Sequence, residues 1–141
     1  MATFNKFQCF VENLAEQVHK LDTNVLKIYL SNVQPVNTNT IKANIAEITA
    51  EHGYGAGGTQ VNITASAQTG GVYKLVGDDV VFTAVGGTIG PFQFAILYND
   101  TSSSPADPLI GWWDYGAPVT LNAGETFTVD LDQVNGILTL T

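Results

Sequence analysis

The chain has 141 residues and a mass of 15.0 kDa, with 45% apolar and only 13% charged residues. Thirteen acids face five lysines and no arginine, for a net charge of −8, which argues against nucleic acid as a partner and against an anionic membrane surface, since both recruit cations. The length fits a single domain over residues 1–141, no apolar run reaches the ~20 residues of a bilayer span, and the lone cysteine, Cys9, leaves no intrachain disulfide framework.

Residues 4–21 carry the only clear helical period. Phe4, Phe7, Val11, Leu14, Val18 and Leu21 recur at steps of three and four, with Glu12, Glu16, Gln17 and Lys20 opposite, so the spacing predicts one N-terminal amphipathic helix. Asp22-Thr23-Asn24 has the composition of its stop. The period then falls to two. Val25–Leu30 reads as a strand, Ser31–Asn39 as a polar loop, and Ile41–Ile48 as an ambiguous segment in which Ile41, Ile45 and Ile48 fit one short helical face. The glycine-rich run Gly53–Gly58 breaks any regular element.

From residue 59 onward the reading is β. Candidate strands are 60–67, 72–76, 79–85, 91–98, 109–115, 118–121, 125–131 and 136–140, rich in Val, Thr, Ile, Phe and Tyr and punctuated by Gly, Asn, Asp or Pro. Short strands at this spacing, with no alternation of strand and helix, predict a mainly β fold. The expected form is a β-sandwich or jelly roll over residues 25–141 behind one N-terminal helix.

The chemistry-bearing residues do not fall into a catalytic pattern. His19, on or beside the polar face of the expected helix, and His52, entering the glycine-rich loop, lack the i, i+4 partner of a zinc pair. Cys9 reads as a small helix residue against the core. The Gly53–Gly58 run has no Gly-Lys-Ser/Thr and precedes a strand, so it reads as a loop of positive φ rather than a phosphate cradle. The acids Asp78, Asp79, Asp100, Asp107, Asp114, Asp130 and Asp132 show no EF-hand order and read as solvent-facing groups at strand ends. No catalytic residue, cofactor or metal site is expected.

The densest aromatic segment is Leu109–Gly116, with Trp112, Trp113 and Tyr115. Adjacent tryptophans in a strand face opposite sides of the sheet, so one fills the core and the other needs a cover. That cover is the N-terminal helix, a sugar ring or another protein.

The order of these segments resembles small acidic virion proteins of tailed bacteriophages. The residues that carry it are Phe4-Asn5-Lys6-Phe7 through Leu21, Asn44–Ile48, Gly53–Gly58, Phe94–Asp100, Asp107–Gly116 and Gly124–Asp130. Within that group the chain is most similar to jelly-roll head decoration, or cement, proteins. The resemblance implies a non-enzymatic protein on the outside of the head, made in the host bacterial cytoplasm, that binds the major capsid protein and stabilises contacts between its subunits. The alternatives are a tail or neck structural protein, or a carbohydrate-binding module or enzyme acting on host surface glycans. Two apolar features compete for burial, which also implies a homodimer or homotrimer. The expected interface residues are Phe4 and Phe7 on the helix and Trp112, Trp113 and Tyr115 on the strand.

Overall fold

A computed structural model describes residues 2–141. It is mainly β, 45% strand and 7% helical. The elements in chain order are β1 (Phe4–Lys6), α1 (Cys9–Ala15), β2 (Leu26–Ser31), a 3-10 turn (Lys42–Asn44), β3 (Thr59–Gln60), β4 (Ile63–Thr69), β5 (Val72–Gly77), β6 (Val80–Thr83), β7 (Ile89–Asn99), β8 (Leu109–Leu121), β9 (Thr126–Val129) and β10 (Leu138–Leu140). They form a five-stranded sheet ordered β1-β8-β7-β2-β3, a three-stranded sheet ordered β10-β5-β4, and the pair β6-β9. All of these pairings are antiparallel.

The five-stranded sheet is buried on both faces, which explains why Phe94–Tyr98 of β7 is continuously apolar. On one face Phe94, Ile96 and Tyr98 pack with Tyr29, Leu109, Trp112, Phe7 and Ile45. On the other, Ala95 and Leu97 join Leu26, Ile28, Leu30, Ile110 and Trp113. This second cluster is the larger, because Leu75 and Leu138 of the three-stranded sheet and Val80, Phe82 and Val129 of the β6-β9 pair close over it. Each fully buried Leu or Phe contributes about 1.5–3 kcal/mol, so the strength of the fold lies between these layers.

The N-terminal segment departs from the expected helix over 4–21. Residues 4–6 are strand, paired to β8 as Phe4↔Trp113, Asn5↔Trp112 and Lys6↔Gly111. Only Cys9–Ala15 is α-helical. Gln17 takes φ 65°, and the Gln17 and Val18 N–H groups donate to the carbonyls of Leu14 and Asn13. That is the Schellman pattern, closed here by a glutamine where glycine is usual. The apolar period does not match the burial. Val11 is 53% exposed, whereas Phe10, off the expected stripe, is 1% exposed.

A polar cluster fastens the glycine-rich loop to the large sheet. Glu47 Oε1 accepts from the Tyr54 hydroxyl at 2.7 Å and the Gly57 N–H at 2.6 Å, and Oε2 accepts from Lys42 Nζ at 3.1 Å. Tyr54 in turn accepts from the Leu30 N–H of β2, and the Tyr98 hydroxyl donates to the Gly57 carbonyl at 2.7 Å. Gly58 has φ 78°, and a Cβ there would overlap the Ile28 carbonyl, so this position requires glycine twice over.

Candidate functional site

The sequence-predicted interface residues come together at one end of the large sheet, around the β1–β8 pairing. Gly111 makes that pairing possible. A Cβ at this position would overlap the Phe4 ring and come too close to the Asn5 carbonyl, so only a bare backbone lets β1 lie this close. Phe4 then sits against Trp113, with ring centroids 5.2 Å apart, and Phe7 sits against Trp112 at 4.5 Å. The two tryptophans do face opposite sides of the sheet, one in each apolar cluster. Neither points out to solvent. Trp112 is 9% and Trp113 4% exposed, and Phe7 is fully buried. The cover is the N-terminal segment, as a strand and the turn after it rather than as the expected docking helix. Phe7, Trp112 and Trp113 therefore support the sheet from inside the chain and offer little surface to a partner.

Phe4 and Tyr115 remain half-buried. β1 covers only Gly111, Trp112 and Trp113 of the thirteen-residue β8, and Tyr115 lies on the stretch beyond. Its ring stands edge-on to Phe127 at 4.7 Å, and Phe127 stands edge-on to Phe92 at 4.8 Å, so this aromatic row runs from the surface into the core. Burial drives the Tyr115 hydroxyl above the ordinary phenol range, and the nearby Asp130 carboxylate raises it further. The hydroxyl is a hydrogen-bond donor throughout the neutral range.

Around Tyr115 lies an open depression of about 490 Å³, lined by Ala2, Trp113, Asp114, Gly116, Thr128 and Asp130. Asp114 is held in place: its Oδ1 accepts from the Gln93 side-chain amide at 2.9 Å and the Gly116 N–H at 2.8 Å. Asp130 is exposed, and its Oδ1 accepts from the Asp132 N–H at 2.8 Å. Asp132 is kept below the usual carboxylate range by the backbone and side-chain N–H groups of Asn135. The depression thus has an aromatic floor and an acidic rim. Such a surface binds by shape, hydrogen bonds and attraction for cations; its two lining carboxylates are engaged by N–H donors.

The remaining candidate residues serve the fold. His52, at φ 51°, shares a 2.9 Å hydrogen bond between its Nδ1 and the Thr88 carbonyl. His19, expected on a polar helix face, is instead buried at 5% exposure, where Asn99 Nδ2 donates to its Nδ1 at 3.1 Å and Nε2 has no partner. Burial raises the Cys9 thiol, whose sulfur lies against the carbonyls of Asn39, Thr40 and Leu109. Among the described residues no three His, Cys, Asp or Glu side chains converge as metal ligands would, and no helix is long and apolar enough to cross a membrane. Glu47 escaped sequence reasoning. Its one signal was its place between the lysine at 42 and the glycine-rich run, which gives no hint of a shared anchor. No protein-family model, curated protein or solved structure matches the chain.

Proposed function

We propose that this chain is a non-enzymatic capsid decoration protein of a tailed bacteriophage. It binds the outside of the head and stabilises contacts between major capsid protein subunits, and it also associates with itself. In this reading the fold is a sandwich of jelly-roll type, with the five-stranded sheet as one wall and the two smaller sheets as the other; the cluster of buried side chains shared by all three supports it. The observation that carries the function is the Tyr115 depression. It is a half-buried aromatic on a rigid strand, rimmed by Asp114 and Asp130, on a chain of net charge −8. An aromatic anchor within a polar rim is the usual anatomy of a protein contact. Its acidity suits a capsid surface that presents lysine or arginine.

The test is co-sedimentation of the purified chain with capsids that lack it. Binding is expected to saturate, to weaken as salt rises, and to fall at least ~10-fold in the double variant Tyr115→Ala/Asp130→Lys, the loss of ~1.4 kcal/mol or more that removing an anchor and reversing a rim charge should bring. Binding that is unchanged in that variant would remove Tyr115 from the contact. One observation favours a second reading as a glycan-binding module: an aromatic beside two carboxylates in an open depression is also suited to a sugar. Glycan-array binding lost in the same variant, with no capsid binding, would establish that reading instead.

A further inference from the structure

β4 presents a long hydrogen-bonding edge without a guard; the stretch of β8 beyond β1 is also uncovered on one side, but it carries Asp114 and Pro118. Ile63–Thr69 is the outer strand of the three-stranded sheet, paired on one side to β5. Its backbone makes no other hydrogen bond among the described residues. The other sheet-edge strands are shorter: three residues in β1, two in β3, three in β10, and four in each of β6 and β9. Proteins ordinarily guard a long edge with a lysine, a proline or a mid-strand bulge, because unpaired N–H and C=O groups recruit another strand. β4 has neither lysine nor proline, and its one irregularity lies at the start, between Ile63 and Ala65. From Ala65 to Thr69 it runs in unbroken register against β5.

We infer that this edge is a homodimer interface, in which Ala65–Thr69 of two copies pair antiparallel about a two-fold axis at Ala67. Two features of the chain point to a second copy as the occupant. First, charge: no Asp, Glu, Lys or Arg occurs from His52 to Tyr73, the longest uncharged run in the sequence. Two chains of net charge −8 repel wherever their acids meet, and this edge brings none together. Second, the segment matches itself. A two-fold axis at Ala67 sets Ala67 opposite its own copy and Ala65 opposite Thr69 on the solvent face. On the inner face it sets Ser66 opposite Gln68, a pair able to share a hydrogen bond. No bulky or charged group is opposed to its like. The pairing would join two three-stranded sheets into one of six strands. This location differs from the helix and tryptophan strand expected from sequence, where Phe7, Trp112 and Trp113 are buried within the chain.

The experiment needs only the purified chain, so its outcome is separate from that of capsid binding. Light scattering is expected to give twice the 15.0 kDa chain mass, with little dependence on salt because the contact is uncharged. Ala67 is exposed and lies opposite Lys74 of β5. Ala67→Lys would align four lysines across the dimer in one row, and it should weaken association at least ~10-fold while leaving the melting temperature of the monomer little changed. Ala67→Glu alone should also weaken it, and an equimolar mixture of the two variants should restore a dimer through Glu–Lys pairing. Hydrogen exchange gives a measurement that needs no variant: β4 amides should become more protected as concentration rises. A chain of single mass up to ~1 mM, where weak contacts with millimolar Kd still register, overturns the inference. So does a dimer that survives Ala67→Lys, or one whose β4 amides exchange as a free edge.

Discussion

His19 is the residue at which local sequence and final environment disagree most. Helical spacing put it on a wet face, yet the early end of α1 at Gln17 turns the chain inward and buries it against Phe10 and the side-chain amide of Asn99. Asn99 is itself pinned, donating to Asn24 Oδ1 and accepting from the Thr101 N–H. Because Nδ1 accepts from Asn99, the neutral ring carries its proton on the unpartnered Nε2, and a second proton must displace the Asn99 bond. Burial pushes the imidazole down from 6.5 to about 4. The unfolded chain therefore binds this proton first, and stability falls as pH drops from about 6.5 through about 4. The full effect is on the order of 3 kcal/mol. Urea titrations at pH 7 and pH 4 should show that much of the acid loss disappears in His19→Gln, whose side-chain carbonyl keeps an acceptor for Asn99. An equal acid loss in the variant would show that His19 does not set it.

At the scale of elements, the strands were legible and the N-terminal helix was not. β2, β5 and β7 fall within two residues of their sequence-predicted bounds, because alternating or continuous apolar runs report burial directly. The expected strands at 109–115 and 118–121 are one element, β8; the Gly116-Ala117 gap between them reads as a break but is accommodated in the long hairpin with β7, whose register shifts. The helix over 4–21 failed for a different reason. Aromatic residues three and four apart satisfy a helical period whether or not the backbone is helical, and Phe4 and Phe7 were spaced for two faces of a sheet more than a hundred residues away. Nor does Gln17 announce a left-handed helix end as glycine would. The contribution of β1 can be measured through Gly111. Gly111→Ala should force β1 off β8 and cost about 1–3 kcal/mol, the usual penalty of overpacking. Tryptophan emission should shift to the red as Trp113 loses Phe4. A thermal melt and an emission spectrum both matching the parent would mean that the strand tolerates the methyl group.

Over the whole molecule, charge is poorly balanced. The close lysine–carboxylate pairs are Lys27–Asp100 at 3.0 Å and Lys42–Glu47 at 3.1 Å, against thirteen acids in all. Self-repulsion among the remaining acids opposes compaction, and salt screens it over a Debye length of about 8–10 Å. Raising sodium chloride from low to physiological levels should therefore raise the melting temperature by roughly 3 °C, the equivalent of about 1 kcal/mol for a domain of this size. A fall in melting temperature would show that the two ion pairs outweigh the net charge. This balance was readable from composition alone, whereas the Tyr115 depression was not, because it is assembled by β8 and β9 only after the sheets close.

The docking of β1 on β8 also governs when the protein can become itself. Phe4 needs Trp113, so β1 has no place to go until β8, more than a hundred residues further along, has been made. At translation speeds of about 5–20 residues per second, that wait is on the order of 5–20 s. For its duration Phe4 and Phe7 travel as bare hydrophobic groups, and the large sheet lacks an edge. The large sheet is thus closed on this side only once a strand has met a partner made more than a hundred residues after it.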